Sequence, residues 1–214
     1  MEQDKGRLII VGGGSLAMEL VSWIINADIY INIKRRLFFL DDKVTSDIYI
    51  DNLKIKYLGK INSIVPKDDD KFFLGIADPT MKSKVVKLLD EKKANFCSFI
   101  HPTAIVAESA ELGRGCLLFP YSICSFNTKL KEFVTINLHS AIGHDVLINS
   151  FTTISSFVDL TGKVEIGKNV FIGSGARVLP SINIGDCCKI GAGATVYYSV
   201  PKDKTAYTIP AKIL

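Results

Sequence analysis

The sequence predicts two domains of different class: a small parallel α/β domain over residues 1–98, then an all-β domain, a parallel β-helix of six-residue repeats, over residues 99–214. Two observations support this division. Strand and helix patterns alternate in the first part, and aliphatic residues recur at every sixth position in the second. The chain has 214 residues, of which 48% are hydrophobic and 22% charged, so it can bury a core in each domain.

Five segments define the first domain. The buried strand RLIIVGGG ends in three glycines, and the helix SLAMELVSWIINA follows it. Two further strands, RRLFFLDD and KFFLGIAD, end in aspartates, and the amphipathic helix MKSKVVKLLDEKKA comes next. Because strands that alternate with helices lie parallel in one sheet, we expect a Rossmann-like domain.

A period of six defines the second domain. Every sixth residue from Val106 to Val196 is Ile, Leu or Val except Cys124, and the residue two places before each is compact except Ile182. This pattern predicts a parallel β-helix shaped as a triangular prism, with three repeats to a coil, and repeats of this type wind left-handed. The inward series is Val106, Leu112, Leu118, Cys124, Leu130, Ile136, Ile142, Ile148, Ile154, Leu160, Ile166, Ile172, Val178, Ile184, Ile190 and Val196.

The corners and the end of the prism also have a sequence signal. Glycines directly after inward residues are expected to turn the chain at the corners. The last segment, VPKDKTAYTIPAKIL, leaves the repeat and is expected to cap or cross the last coil. The corner glycines are Gly113, Gly143, Gly167, Gly173, Gly185 and Gly191.

The composition argues against several classes of function. The net charge is only +4, and lysines alternate with acids in KDDDK and LLDEKK, so no nucleic acid partner is expected. The apolar run Leu8–Val11 is too short for a signal-peptide core, and nowhere do about 18 apolar residues run together, so we expect a cytoplasmic protein with no membrane partner. Five cysteines without a CxxC pair indicate reduced thiols, not a disulfide framework or a zinc knuckle.

An ordered set of motifs resembles one enzyme family. GGGS, FFLDD, IHPTAIV, GHD, KVEIGKNVFIGSGA, IGAGATV and IPAKIL follow one another along nearly the whole chain. Together they resemble the sugar-nucleotide N-acetyltransferases and sialic acid O-acetyltransferases of the left-handed β-helix class. The resemblance implies a homotrimer with active sites between subunits, a nucleotide-linked amino sugar on the first domain, acetyl-CoA along the β-helix, and no metal.

The resemblance also assigns site residues. It implies that His144 is the catalytic base, that Asp145 is its partner, and that Asn137 lies near the acceptor. The residues implied for substrate binding are Gly12, Gly13, Gly14, Ser15, Asp41 and Asp42, and those implied for acetyl-CoA are Thr153, Gly162, Gly173, Ser174, Gly191 and Ala192.

The chemistry of these residues agrees with that assignment. His144 lies two residues past inward Ile142, so it faces outward at a corner. A histidine can take a proton from an attacking amine near neutral pH, and a neighbouring carboxylate can hold its tautomer. The glycine loop after the first strand offers N–H groups and a helix N-terminus to a phosphate, and Asp41 and Asp42 could bind ribose hydroxyls or a base edge.

We therefore expect an acetyl-CoA-dependent N-acetyltransferase acting on the 4-amino group of a nucleotide-linked 4-amino-4,6-dideoxy sugar. The nearest alternative is a sialic acid O-acetyltransferase. The chain departs from the common family pattern at Leu16, Gly143, Thr153, Ser156 and Thr208, so the acyl-donor contacts and the identity of the acceptor are not carried over from the family. The sequence names neither the nucleotide, nor the sugar, nor the length of the acyl group.

Two other classes are weaker alternatives. His139 and His144 have a spacing that suits a zinc enzyme similar to the gamma-class carbonic anhydrases. However, His101 lies two residues out of the coil register, and we expect it to be a turn residue before Pro102. His139, three residues past Ile136, is expected at the surface or a subunit interface. A binding protein that kept the fold and lost catalysis is the other alternative.

Overall fold

The structure, a computed structural model, describes residues 6–27, 36–50 and 53–209. It divides the chain into two compact units, Met1–His101 and Pro102–Leu214, whereas the sequence predicts a boundary between residues 98 and 99. The end of the expected C-terminal cap, residues 210–214, lies outside the described residues. Within the described ranges, no helix is long and apolar enough to cross a membrane.

The first unit is an α/β structure built on one mainly parallel sheet. The elements are β1 (Leu8–Val11), α1 (Ser15–Asn26), β2 (Leu37–Leu40), β3 (Ile48–Ile50), β4 (Leu53–Gly59), a 3₁₀ helix (Ile61–Ser63), β5 (Lys71–Leu74), α2 (Pro79–Glu91) and β6 (Phe99–Ile100). Strand β1 lies between β2 and β5, all three are parallel, and the full order is β3-β4-β2-β1-β5. A short antiparallel hairpin, β3 with β4, extends the edge of the sheet and is not predicted from the sequence.

The strand order brings the predicted loops to one edge of this sheet. The chain leaves β1 for β2 on one side, and β5 lies on the other side, so the direction of winding changes at β1. Gly12 follows β1 with φ of 112°, and a Cβ there would lie 2.9 Å from the carbonyl oxygen of Gly75, which follows β5. Ligands of open α/β sheets bind at such a point, beyond the carboxyl ends of the strands.

The second unit is a parallel β-solenoid with the predicted repeat. Strands that pair are 18 residues apart, as Ile105, Ile123 and Ala141 are, except in the last pair, Lys189 with Thr205. The strands of face A are β7 (Ile105–Val106), β10 (Ile123–Cys124), β13 (Ala141–Ile142), β16 (Asp159–Leu160), β19 (Arg177–Val178) and β22 (Thr195–Val196). Those of face B are β8 (Glu111–Leu112), β11 (Lys129–Leu130), β14 (Leu147–Ile148), β17 (Glu165–Ile166) and β20 (Asn183–Ile184). Face C has β9 (Leu117–Leu118), β12 (Thr135–Ile136), β15 (Thr153–Ile154), β18 (Phe171–Ile172), β21 (Lys189–Ile190) and β23 (Thr205–Ala206).

The interior of the solenoid is the predicted aliphatic column. The residues of the inward series from Leu118 to Val196 are buried, and the compact positions pack among them. Where a compact position carries a hydroxyl, that hydroxyl donates to a corner carbonyl: Ser140 to Ser155 at 2.7 Å and Thr152 to Gly167 at 2.8 Å. These bonds satisfy the buried polar groups, so the interior tolerates serine and threonine.

The corners are made differently from the prediction. The residue with positive φ is the third after the inward one, and at most corners it is not glycine: His139 has φ of 56° and Asp145 of 58°. The prediction that Gly143, Gly173 and the equivalent glycines turn the chain is wrong, because none of them has positive φ. They are needed for close approach instead, since a Cβ at Gly143 would lie 2.8 Å from the Leu160 carbonyl oxygen of the next coil.

Candidate active site

The pair His144 and Asp145 projects from the corner between faces A and B, called corner A–B below. His144 Nδ1 lies 2.8 Å from Asp145 Oδ2. The His144 side chain is 58% exposed and that of Asp145 is 34% exposed. The imidazole is therefore open to a ligand while one of its nitrogens is held by a carboxylate, as the sequence predicts.

Neighbouring coils fix the backbone that carries this pair. The Asp145 N–H donates to the Phe126 carbonyl at 3.0 Å, and the Lys163 N–H donates to the His144 carbonyl at 2.9 Å. From the interior, the Thr128 hydroxyl donates to the Gly143 carbonyl at 3.1 Å. The corner is thus bonded to the coil before it, to the coil after it and to the core, which limits its freedom to move.

Asn127 completes the arrangement and is not identified from the sequence. Its Nδ2 donates to Asp145 Oδ1 at 2.7 Å, on the oxygen that does not face His144. The Asn127 hydrogen bond, followed by that of His144, holds the pKa of Asp145 below its ordinary value, so the carboxylate is charged at neutral pH. The sequence does contain a signal for this contact, because Asn127 precedes Asp145 by one 18-residue coil at the same place in the repeat.

The far nitrogen of His144 lies over Gly162 on the next coil. A Cβ built on Gly162 would be only 2.3 Å from His144 Nε2, so no larger residue fits under the ring without moving it. With Nδ1 engaged by Asp145, Nε2 is the nitrogen available to accept a proton. This arrangement suits a general base.

The remaining predicted catalytic residue lies elsewhere. Asn137 follows β12 on face C and is half-buried, and its Oδ1 accepts from the Leu138 N–H at 2.7 Å. It belongs to the corner between faces C and A, called corner C–A below. Strand β13 separates this corner from His144, so a single chain does not bring Asn137 and His144 into one cluster.

Most predicted acetyl-CoA residues also lie at corner C–A. Ser174 and Ala192 are exposed there, beside Gly175 and Gly193, whose φ values of 71° and 68° place them at the corner position. A Cβ on Gly193 would meet nothing within 4 Å, so this part of the corner is a bare backbone surface. In contrast, Thr153 and Gly173 are buried, a Cβ on Gly191 would lie 3.0 Å from that of Tyr207, and Gly162 is at the other corner.

His139 occupies corner C–A and is part of an aromatic stack. Its ring lies between those of Tyr121 and Phe157, with centroids 4.9 and 5.0 Å away and nearly parallel planes. His144 is instead paired with Asp145 beyond the other end of β13, so the two histidines face different partners. Over the described ranges, no cluster of three His, Cys, Asp or Glu side chains could hold a metal.

In the α/β unit, the structure brings the glycine loop and the aspartates together. The Gly13 N–H donates to Asp41 Oδ2 at 2.7 Å, and the N–H groups of Lys43 and Val44 donate to Oδ1 at 2.7 and 2.8 Å. Burial raises the pKa of Asp41, but these backbone bonds outweigh it and hold the pKa below its ordinary value. Both oxygens of Asp41 therefore serve the backbone of the loop.

The other predicted substrate residues lie beside this bond. Gly14 and Ser15 are exposed at the start of α1, and Gly14 occupies its N-cap position. Asp42 is exposed, and its Oδ1 accepts from the Ile61 N–H at 3.0 Å. The edge thus combines an anchored glycine loop, a helix N-terminus and an exposed carboxylate.

Comparison with known proteins agrees with the fold. Residues 163–197 match the family model described as "Bacterial transferase hexapeptide (six repeats)". These residues carry the hexapeptide repeat of that model. GDP-perosamine N-acetyltransferase from Escherichia coli O157:H7 is 28% identical over 107 residues, which are 50% of this chain and 48% of that relative. Serine acetyltransferase from Buchnera aphidicola subsp. Acyrthosiphon pisum is 32% identical over 140 residues, 62% of this chain and 44% of that relative.

The chain spans about half the length of the curated relatives it matches. Among solved structures, a mutant of perosamine N-acetyltransferase from Caulobacter crescentus, in complex with CoA and GDP-perosamine, is similar with a TM-score of 0.84 and 23% identity. That similarity covers 98% of this chain and 97% of the other, so the two share the same fold from the α/β unit to the solenoid.

Proposed function

We propose that this chain is an acetyl-CoA-dependent N-acetyltransferase that acts on the 4-amino group of a nucleotide-linked 4-amino-4,6-dideoxy sugar. The observation that carries the proposal is the exposed His144–Asp145 pair, with Nε2 free over Gly162. Similarity to perosamine N-acetyltransferases over the whole fold supports the choice of a sugar amine as acceptor.

The proposed reaction uses His144 as general base. The sugar nitrogen attacks the thioester carbonyl, a new N–C bond forms and the C–S bond breaks. His144 Nε2 takes the amine proton and passes it to the departing thiolate, while Asp145 stabilises the charged imidazolium. Because the acetyl group passes directly from sulfur to nitrogen, the protein needs no nucleophile of its own.

The α/β unit is proposed to bind the nucleotide as a Rossmann-like domain. The Gly13 N–H is taken by Asp41, but the exposed Gly14 and Ser15 at the N-terminus of α1 suit a diphosphate. The exposed Asp42 suits a ribose or base edge. Asp41 is assigned a different role from the one implied by family resemblance. With both oxygens on backbone N–H groups, it anchors the loop that the nucleotide would contact.

The solenoid, proposed to be left-handed, is assigned the acetyl donor. The bare surface at Ser174, Gly175, Ala192 and Gly193 suits the narrow pantetheine arm of CoA. That surface and His144 adjoin opposite ends of the strands of face A. A second copy packed on this face would bring its own corner next to His144, so we propose a homotrimer with active sites between subunits.

The surface of face A supports this assembly. The outward residues Ile105 and Ile123 are 63% and 37% exposed, and Phe126, Tyr121 and Phe157 are exposed along the two edges. Apolar side chains this close together are unusual on the free surface of a protein and common at subunit contacts.

The test begins with substrate identification. A thermal-shift panel of UDP-, dTDP-, GDP- and CMP-linked amino sugars with CoA would find the ligand that stabilises the protein most, and L-serine and a sialic acid would be included as acceptors. Thiol release from acetyl-CoA would then be measured with the best ligand. Release with serine or sialic acid but with no nucleotide-linked amino sugar would overturn the proposed acceptor.

The mechanism is tested by replacing the base. His144→Ala should lower kcat by about 10²–10⁴ because it removes the proton acceptor. Glu108→Ala is the matched control, since Glu108 is exposed at the same place in the repeat two coils earlier. Near-full turnover by His144→Ala would show that His144 is not the base.

A further inference from the structure

Corner A–B carries a column of polar side chains that continues past the proposed base. The column consists of the residues at the third place after the inward position, 18 residues apart: Ser109, Asn127, Asp145, Lys163 and Ser181. The Asn127 N–H donates to Ser109 Oγ at 3.0 Å, and Asn127 Nδ2 donates to Asp145 Oδ1 at 2.7 Å. A hydrogen-bonded chain therefore runs from Ser109 through Asn127 and Asp145 to His144.

We propose that Asn127 is a positioning residue for the acetyl transfer, which orients Asp145 so that the neutral His144 keeps its proton on Nδ1 and presents Nε2 as the acceptor. The catalytic part of this inference, the role of Asn127 in acetyl transfer, rests on the proposed function. The effect of Asn127 on the His144 tautomer rests on geometry alone.

The geometry gives Asn127 a role that a simple corner residue lacks. Its φ of 57° favours asparagine at this position, but glycine and aspartate also tolerate that conformation, so φ alone does not require an asparagine. Only asparagine among these three donates a side-chain N–H, and this N–H lies 2.7 Å from the carboxylate. With Oδ1 bound to Asn127 and Oδ2 to His144, the carboxylate is held at both oxygens.

The consequence for His144 follows from the hydrogen bond it makes. An ionised carboxylate can only accept, so Asp145 Oδ2 requires a proton on His144 Nδ1. A neutral imidazole has one proton, so Nε2 is then bare and lies over Gly162. If Asp145 turned away, the proton could move to Nε2, and His144 would no longer be able to take one from the amine there.

The groups around Asp145 allow the effect of Asn127 to be isolated. The described titratable groups that act on Asp145 are His144, which is bonded to it, and Lys163, which acts through space. Both help to hold the pKa of Asp145 down, but the largest contribution comes from Asn127. Removing the Asn127 side chain leaves His144 and Lys163 in place and removes only the amide that holds Asp145 Oδ1.

Two substitutions separate the donor from the backbone conformation. Asn127→Gly removes the side chain at a position with positive φ that glycine accepts without strain. Asn127→Asp keeps the shape and replaces the donor with a carboxylate beside that of Asp145. Ser181→Gly is the matched control, since Ser181 has φ of 61° in the same column and is exposed.

The first measurement is independent of activity. With histidine labelled in both ring nitrogens, the ¹⁵N shifts of the three histidines report their tautomers. Neutral His144 should carry its proton on Nδ1 in the wild type and in Ser181→Gly, and should become a mixture of tautomers in Asn127→Gly and Asn127→Asp. An unchanged tautomer in both Asn127 variants would overturn the inference, whether or not the protein acetylates any sugar tested.

The second measurement is kinetic. Both Asn127 variants should lose kcat on the order of tenfold or more with little change in either KM, because substrate contacts are untouched. The rate of Asn127→Asp relative to wild type should rise as the pH falls, because two adjacent carboxylates can share a proton and restore the bond. A constant ratio across pH, or a change in KM alone, would contradict the positioning role. His144→Ala still decides the proposed function separately.

Discussion

Gly143 and Gly162 stand on either side of the proposed base and have different tasks. A Cβ on Gly143 would lie 2.8 Å from the backbone of the next coil, at the Leu160 carbonyl oxygen. A Cβ on Gly162 would instead meet the His144 ring, a side chain that can turn away. The first glycine therefore serves the packing of coils, whereas the second keeps open the space that Nε2 needs.

This difference predicts opposite effects of alanine at the two positions. Gly162→Ala should displace the His144 ring and lower kcat about tenfold or more, with little change in the denaturation midpoint, because only a side chain must move. Gly143→Ala should lower the free energy of unfolding by about 1–3 kcal/mol, because backbone must shift. For both variants, denaturant unfolding measures the free energy of unfolding and the thiol-release assay measures kcat. Wild-type kcat in Gly162→Ala would show that the ring does not need the space.

At the scale of single residues, the sequence predicts where His144 and Asp145 lie but not that Asn127 holds Asp145. The phase of the repeat, set by Ile142, was enough to place His144 and Asp145 outside the prism. Asn127 is far from them along the chain, and its role appears only when coils are stacked and its amide lies 2.7 Å from Asp145. The hydrogen-bond partners of Asp41 were likewise not predicted. An aspartate that follows a strand gives the same sequence pattern whether it binds a ligand or the backbone of a loop.

Among the elements, the glycine loop after β1 depends on a residue that follows β2. Asp41 accepts the Gly13 N–H at one oxygen and those of Lys43 and Val44 at the other, so it joins the ends of two parallel strands. A carboxylate is suited to this because it has acceptors only. The conformation of the loop is thereby fixed by Asp41, so the loop proposed to contact the nucleotide is already ordered without it.

Asp41→Asn should loosen this loop. The asparagine amide has only one oxygen, so its nitrogen would face an N–H donor where one carboxylate oxygen of Asp41 now accepts. A lost hydrogen bond of this type costs about 1–3 kcal/mol. We expect faster hydrogen–deuterium exchange at residues 10–16, a KM for the nucleotide sugar raised severalfold and kcat little changed. A selective fall in kcat with unchanged exchange would contradict the anchoring role.

The same bond predicts a pH dependence. Because the folded pKa of Asp41 is lowered, its stabilisation is present above the ordinary value of 3.8 and is lost as the pH falls through the folded value. Exchange at residues 10–16 of the wild type, corrected for the intrinsic pH effect, should therefore approach that of Asp41→Asn only below about pH 4.

The strands of the solenoid divide their residues between core and surface, and one strand provides a matched test. In β17, Ile166 is buried in the interior whereas Glu165 is exposed on face B. Ile166→Ala should lower the free energy of unfolding by about 2–5 kcal/mol through the cavity it leaves. Glu165→Ala should change it by less than about 0.5 kcal/mol. Equal losses in urea unfolding would contradict the stacked-core description.

The elements that the sequence predicted best are those with a strict period. The spacing of six identified every solenoid strand from β7 to β22, because each strand presents one residue to the axis and this residue is aliphatic in all of them except β10, where it is Cys124. The hairpin of β3 and β4 was missed because it lies at the sheet edge with most of its residues exposed or half-buried. The corner conformations were missed because the residue with positive φ is the third after the inward one and is not glycine at most corners. Phe133 and Phe151 hold two of these positions, and their rings stack at 5.5 Å.

At the scale of the whole molecule, the proposed site residues lie at two different corners of the solenoid. His144 lies at corner A–B, and the exposed Ser174 and Ala192 lie at corner C–A, with the strands of face A between the two corners. The proposed base and the proposed donor surface therefore lie on opposite edges of one face and do not form one cluster within a single chain. Copies related by a cyclic axis would place the corner C–A of one copy against the corner A–B of the next.

This arrangement predicts that two inactive variants restore each other. His144→Ala lacks the proposed base, and Ser174→Trp should block the proposed donor surface. Each variant should therefore be inactive alone while keeping the mass of the proposed trimer in sedimentation. If each site takes His144 from one copy and Ser174 from the next, random mixing in a co-expressed 1:1 sample leaves about a quarter of the sites intact. Thiol release should then return to about that fraction of wild type. If each chain completed its own site, mixing would restore nothing, because every chain in the mixture would carry one of the two defects.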